Sequence, residues 1–353
     1  MNKATRNQKW LWVSLAVTLV LVIVVGMVLV TDWFRPAPVG DPEDVLTKII
    51  VADAWSTHHL NLYVAQEKGL FGKHGLEVEI QPVKSLSAAR DLVVAGAADV
   101  FWSCPTVAIA AIAGGAPMQI IAQVKEPCTS VLVVPAGSPI ETLRDLKGKN
   151  IAGISPACEA VISITKAARG EGAEFNLVKL AGGPAIAALE AGQIDGAILE
   201  EPHASIVELK GFRVLFREVS LAIPCRTINA RAGFLASDAD ALKRFVEAVN
   251  EANAIIRKEG PQADVIVEIA HKYTGAPKDA IRHGNPRLGF TIYINEQGYK
   301  QLGDDLVELG HIKENPGDRM FAQEFKGITW GFAERPVEIK IQEDGHVTVI
   351  EKN

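Results

Sequence analysis

Hydrophobic residues are laid along this chain in two distinct ways. From Leu11 to Val30 they form one uncharged, almost wholly apolar run, preceded by Lys3, Arg6 and Lys9 and followed by Asp32. At about 1.5 Å per residue the run reaches roughly 30 Å as a helix, the thickness of a bilayer's hydrocarbon core. The pattern predicts one spanning helix. Its positive flank predicts that the short tail stays in the cytoplasm and that everything after Asp32 is exported. A cleaved signal peptide is the competing reading, but its apolar region is usually about 7–15 residues long and ends in a small-x-small site. Here the run ends in Met27 to Val30 and is followed by Thr31, Asp32, Trp33 and Phe34, with no such site and with aromatics suited to a membrane interface. No cysteine lies near its end, which excludes a lipoprotein anchor. Pro36, Pro38, Gly40 and Pro42 then mark a spacer.

Beyond the spacer, short β-rich runs alternate with amphipathic helical stretches. Lys48–Val51, Leu76–Val83, Asp99–Trp102 and Met118–Val124 read as strands, separated by helices at His58–Lys68, Ser87–Ala95 and Pro105–Ala113. The same grammar repeats. Strands are expected at Ser130–Val134, Asn150–Ile154, Asn176–Leu180, Asp195–Leu199 and Arg213–Glu218, with helices at Pro156–Arg169, Pro184–Ala191 and Pro202–Leu209. Such an order predicts mostly parallel sheets covered by helices. Helical pattern dominates after Ala239 and is expected to close the first unit. Near the end, Val337 to Ile350 alternates apolar and polar residues around Asp344-Gly345, which predicts a β-hairpin.

Composition narrows the function. The 353 residues are 48% hydrophobic and 22% charged, enough for a large core, and the exported part is long enough for two lobes. A net charge of −6 without a basic block argues against a nucleic-acid partner. No Walker loop, Ser-His-Asp order or His-Glu-x-x-His word supports ATP-dependent or hydrolytic chemistry.

Five sequence words carry a family resemblance. They are Val64–Leu76 (Val-Ala-Gln-Glu-Lys-Gly-Leu-Phe-Gly-Lys-His-Gly-Leu), Ala98-Asp99-Val100, Leu143–Lys149 (Leu-Arg-Asp-Leu-Lys-Gly-Lys), Ala188–Ala197 (Ala-Leu-Glu-Ala-Gly-Gln-Ile-Asp-Gly-Ala) and Glu201-Pro202. In this order and spacing the chain resembles the solute-binding proteins of ABC importers, in the family that includes nitrate, sulfonate and taurine binding proteins and thiamine-pyrimidine proteins. The resemblance runs from about Lys48 to Gly310. It implies a two-lobed α/β periplasmic-binding-protein fold (type II). The expected organisation is a tail at 1–10, an anchor at 11–30, a linker at 31–47, lobe one at 48–127 and about 226–320, lobe two at 128–225, and an extension at 321–353. It also implies a small-molecule solute, with an ABC permease and its ATPase as partners. An enzyme is the alternative on the same fold, because the resemblance extends to thiamine-pyrimidine synthases that use pyridoxal phosphate, histidine and iron. Those carry clustered cysteines, whereas the cysteines here are scattered.

In folds of this kind ligands sit beyond the carboxyl ends of the strands, where helix N-termini offer free N–H groups. Four loops are therefore expected to line the cleft: Trp55, Ser56, Thr57, His58 and His59; Ser103, Cys104, Pro105 and Thr106; Ser155 through Cys158 to Glu159; and Glu200, Glu201 and His203. The small polar residues among them also suit helix caps. Arg226 and Arg231 are candidates to pair an anionic ligand or to bridge to Glu200 or Glu201, and Glu200-Glu201 would itself suit a cationic or amine ligand.

Cys104, Cys128, Cys158 and Cys225 contain no Cys-x-x-Cys pair, and all fall near the expected cleft or hinge. Three readings stand: structural disulfides, with Cys128–Cys225 the preferred pair; coordination of a metal or metal-containing ligand, supplemented by His58, His59 or His203; and unpaired thiols. A second bridge, Cys104–Cys158, would lock the lobes together. No cofactor is certain, and His74, His271 and His346 carry little.

Overall fold

The computed structural model describes residues 46–217 and 224–329, together with two strands near the end of the chain. The anchor, tail and linker expected before residue 46 lie outside the described residues. Among those described, no helix is long and apolar enough to cross a membrane.

The first lobe opens with β1 (Thr47–Asp53), α1 (Leu60–Glu67), β2 (Leu76–Pro82), α2 (Leu86–Val94), β3 (Val100–Ser103), α3 (Pro105–Ala113) and β4 (Met118–Lys125). The chain crosses into the second lobe and forms β5 (Val131–Val134), β6 (Asn150–Gly153), α4 (Glu159–Gly170), β7 (Asn176–Lys179), α5 (Gly182–Glu190), β8 (Gly196–Leu199), α6 (His203–Leu209) and β9 (Arg213–Arg217). It returns as β10 (Cys225–Arg231) and continues through α7 (Ala239–Glu259), α8 (Asp264–Thr274), α9 (Lys278–Gly284) and α10 (Glu296–Glu308). The sheets run β2-β1-β3-β10-β4 and β7-β6-β8-β5-β9. Each is less uniformly parallel than the alternation implies. β10 pairs antiparallel with β3 and β4, and β5 with β8 and β9, because these strands follow the lobe crossings and enter their sheets from the hinge side.

The sequence explains the packing. Along α7 the buried residues Leu242, Phe245, Val246, Val249, Ala252 and Ile256 recur at helical spacing, and Asp238 Oδ1 accepts the Ala241 N–H at 2.9 Å to cap its start. This stripe packs on the first sheet, where Phe245 stacks on Phe71 at 5.1 Å and meets Trp102 edge-on at 5.7 Å. Each such burial is worth roughly 1.5–3 kcal/mol. The hairpin expected near the end is present as β11 (Val337–Ile341) and β12 (Val347–Glu351), paired antiparallel with Ile339 opposite Val349.

A buried ion cluster ties the lobes on the hinge side. Arg287, 1% exposed, reaches Glu201 at 2.7 Å and Glu208 of α6 at 2.6 Å, and Arg217 and His283 reach the same Glu208 at 2.8 and 3.0 Å. Gly284 leaves room for it, since a Cβ there would lie 2.5 Å from Glu201 Oε2. Burial alone would raise the Glu208 carboxyl, but its bonds to Arg287 and Arg217 hold it down at about 2, against an ordinary 4.5. A depressed carboxyl contributes stability that is fully present above its unfolded value and is lost as pH falls through its folded value. The contribution is at most about 3.5 kcal/mol, taking about 1.4 kcal/mol per pH unit. Melting curves should therefore show a loss of stability between pH 4.5 and about 2 that Glu208→Gln flattens. Parallel decline of the two proteins would remove Glu208 as the cause.

Candidate functional site

Between the two sheets lies a cleft of about 390 Å³. Trp55 and Ser56 after β1, Lys84 to Leu86 at the start of α2, Ser130 before β5 and Cys158 at the start of α4 contribute to its wall. So do Gly182 and Gly183 at the start of α5, Glu200 to His203 after β8, and Arg226. Trp55 and Ile154, at 39% and 44% exposed, form apolar lips. A second cavity of about 320 Å³ is bounded by Ser85 to Ser87, Cys104, Thr106, Ser155 and Cys158.

The residues expected from sequence thus divide into three positions. Trp55, Ser56, Cys158, Glu200, Glu201, His203 and Arg226 line the main cleft, and Cys104, Thr106 and Ser155 border the second cavity. Thr57, His58, His59, Ser103, Pro105 and Glu159 are buried behind these walls. The sequence reading missed Lys84, Ser85, Ser130, Ile154 and the Gly182-Gly183 pair. The loops after β2 and β7 follow strand ends as the four expected loops do, so the strand-end rule, applied to every strand, reaches Lys84 and Gly182.

The first loop is rigid by construction. Asp53, the last residue of β1, accepts from His59 Nδ1 at 2.5 Å and from the Tyr63 hydroxyl at 2.6 Å, and the Ser56 N–H donates to the same hydroxyl at 3.0 Å. Ser56 Oγ accepts the His58 N–H at 3.2 Å. Burial and the Asp53 charge push the Tyr63 hydroxyl well above its ordinary value, so it stays a donor. His58 and His59 therefore belong to the packed wall. His58 is held neutral chiefly by burial, then by the charges of Lys125 and Arg226.

Across the cleft, α5 opens on Ala181, Gly182 and Gly183 with no side-chain cap. Gly182 takes φ +57°, and a Cβ there would meet the His203 ring at 3.0 Å, so glycine both permits the turn and admits the ring. Burial lowers the His203 imidazole, favouring its neutral form.

Arg226 organises the centre. Its guanidinium, 1% exposed, spans Glu200 at 2.6 and 2.7 Å, Glu159 at 3.5 Å and Cys104 Sγ at 2.8 Å. Burial would raise the Glu200 carboxyl, but Arg226 overrides this and lowers it. Arg231 is spent elsewhere, on Asp99 at 2.7 Å. Arg226 also holds φ +68°, a left-handed conformation that costs a non-glycine residue about 1–3 kcal/mol and is retained where surroundings over-determine it.

All four cysteines are unbonded, buried thiols, so the Cys128–Cys225 bridge expected from sequence is not formed. Cys128 Sγ lies instead 3.4 Å from Ser130 Oγ, and Cys225 Sγ 3.8 Å from His58 Nδ1. The topology nonetheless gathers the thiols into two pairs. Cys104 and Cys158 share one neighbourhood with Glu159, and Cys128 and Cys225 share another with the same Glu159; within each set the donor atoms lie within 4.8 Å of one another.

Two α/β lobes around a cleft reached by strand ends and helix N-termini define the two-lobed periplasmic-binding-protein fold. Comparison with known proteins places it more narrowly: the chain belongs to the NMT1/THI5-like family, whose model matches residues 56–263, more than half of its length. A 4-amino-5-hydroxymethyl-2-methylpyrimidine phosphate synthase of Uromyces fabae is 34% identical over 107 residues, 30% of this chain. The match spans only 31% of that synthase's length. A Bacillus subtilis protein named "Putative binding protein YtlA" is 25% identical over 250 residues, covering 68% of this chain and 75% of YtlA. Among solved structures, the periplasmic aliphatic sulphonate binding protein SsuA of Escherichia coli superimposes with a TM-score of 0.68 at 19% identity, covering 78% of this chain and 92% of SsuA. These likenesses establish the two-lobed fold of ABC solute-binding proteins.

Proposed function

We propose that this chain is the solute-binding component of an ABC importer. It captures a small anionic solute between its lobes and presents it to a permease and its ATPase, while the Leu11–Val30 segment anchors it to the outer face of the cell membrane. One observation carries the solute class: the carboxylates at the cleft are already neutralised, whereas Lys84 and the N–H groups that open α5 are not. Glu200 is held by Arg226 and Glu201 by Arg287, whereas Lys84 and the uncapped start of α5 face the cleft. An uncapped helix start with a nearby lysine favours a carboxylate, sulfonate or phosphate group. The binding reading is preferred to a synthase because the YtlA likeness extends over most of the chain and the synthase likeness over less than a third.

The test is a calorimetric titration of detergent-purified full-length protein with small sulfonates, phosphate and carboxylates, set against amines and neutral solutes. Anions should bind, quench or enhance Trp55 emission, and raise the melting temperature. At one hundred times Kd the stabilisation should be about 2.7 kcal/mol. Binding of amines alone would overturn the anionic reading, and a visible cofactor band in freshly isolated protein would favour the synthase.

A further inference from the structure

We propose that the two thiol pairs around Glu159 are a buried binding site for thiophilic divalent cations such as Zn²⁺, one cation per pair, with Glu159 offering one oxygen to each. Glu159 Oε2 lies 3.6 Å from Cys158 Sγ and Glu159 Oε1 lies 3.9 Å from Cys225 Sγ, so the carboxylate stands between the pairs and faces both. Cys104, on the first lobe, completes the set with Cys158; Cys128 and Cys225, on the two crossings, form the other. With Zn–S bonds of about 2.3 Å, two thiolates on one tetrahedral Zn²⁺ lie roughly 3.8 Å apart, which the 4.8 Å grouping accommodates. Soft thiolates with one carboxylate or imidazole suit such ions, and a hard cation would need more oxygen ligands.

Two further observations support the site. His58 is fully buried, its Nδ1 is 3.8 Å from Cys225 Sγ and its Nε2 has no hydrogen-bond partner, which makes it the available nitrogen donor for the Cys128–Cys225 set. Charge also balances. Four thiolates, Glu159 and Glu200 carry six negative charges, which two divalent cations, the Arg226 guanidinium and the buried Lys125 beside Cys128 and Cys225 neutralise in a region that excludes water. Loading releases the four thiol protons to solvent and changes no oxidation state. Because Cys104 and Cys158 belong to opposite lobes, a cation on that pair also holds the lobes together. The assignment does not rest on the identity of the solute, although Cys158 belongs to the cleft wall as well as to a thiol pair.

The experiment loads reduced, chelator-stripped, full-length protein with Zn²⁺ under anaerobic conditions, without solute, and counts retained metal after desalting. Two equivalents are expected. Cys104→Ser and Cys128→Ser should each retain one, with at least about a 100-fold affinity loss at the altered set, and Glu159→Gln should weaken both. Should a variant fail to fold, Cd²⁺ titration of the wild-type protein gives the answer through thiolate-to-metal ultraviolet absorbance, which should rise to a break at two equivalents. No retained metal, no charge-transfer absorbance, two equivalents in both cysteine variants, or loss of both equivalents from either one would each overturn the assignment. Solute titration in the presence of chelator tests the importer reading separately.

Discussion

Arg226→Met is expected to destabilise the fold by about 3–5 kcal/mol and to weaken solute capture, because it strips the cation from a buried ion cluster. Glu159 is 1% exposed and cannot recruit water when the guanidinium is gone, and Glu200 loses both of its bonds. An opposing effect acts at the same residue. The φ of +68° stores about 1–3 kcal/mol, which a smaller or more permissive residue would release. Arg226→Gly separates the two: it relieves the backbone and removes the same charge, so it should be less destabilised than Arg226→Met by about 1 kcal/mol and still be less stable than wild type. Arg226→Lys should recover only part of the loss, since an ammonium is a point charge that cannot reproduce the fork joining Glu159, Glu200 and Cys104. Denaturant unfolding of the three variants measures this order. A glycine variant more stable than wild type would mean that strain outweighs the ion cluster.

The alternation of strand and helix was legible because each element has one buried face, and period-2 and period-3.6 patterns report such faces directly. Thus the strand expected at Lys48–Val51 is observed at Thr47–Asp53, and the helix expected at His58–Lys68 is a 3₁₀ turn at Thr57–His59 followed by Leu60–Glu67. Periodicity does not report strand direction. The antiparallel entry of β5 and β10 follows from the lobe crossings, which depend on long-range topology. The site was legible only as a set of loops. Cys104, Glu159 and Arg226 are far apart in sequence, and their meeting depends on which strand ends face each other across the hinge. The same limit applies to Arg287, whose partners Glu201 and Glu208 stand about eighty residues earlier on the other lobe. The four cysteines were recognised as a feature, but spacing alone could not decide between bridges and a shared thiol cluster.

Asp53→Ala should produce a comparable loss, about 3–4 kcal/mol, by a different route. Asp53 is fully buried and satisfies two donors, His59 Nδ1 and the Tyr63 hydroxyl. Removing it leaves both unpaired in a wall where His59 Nε2 already lacks a partner. Each orphaned polar group costs about 1–3 kcal/mol. Asp53→Asn should cost less, about 1–2 kcal/mol, because the amide can still accept from Tyr63 and can donate to His59 in its other tautomer. Tyr63→Phe removes only the hydroxyl, so its effect and that of Asp53→Ala should overlap, with a coupling of about 0.5–3 kcal/mol in a double-mutant cycle. The functional consequence follows from the Ser56 N–H, which donates to that same hydroxyl and so fixes the loop carrying Trp55 into the cleft. Loss of the network should therefore weaken solute binding as well as stability, and Trp55 emission should respond less to added solute. Additive effects of Asp53→Ala and Tyr63→Phe, with unaltered solute affinity, would show that the loop is held in place by packing against Tyr63 and Tyr273 and not by the Asp53 network.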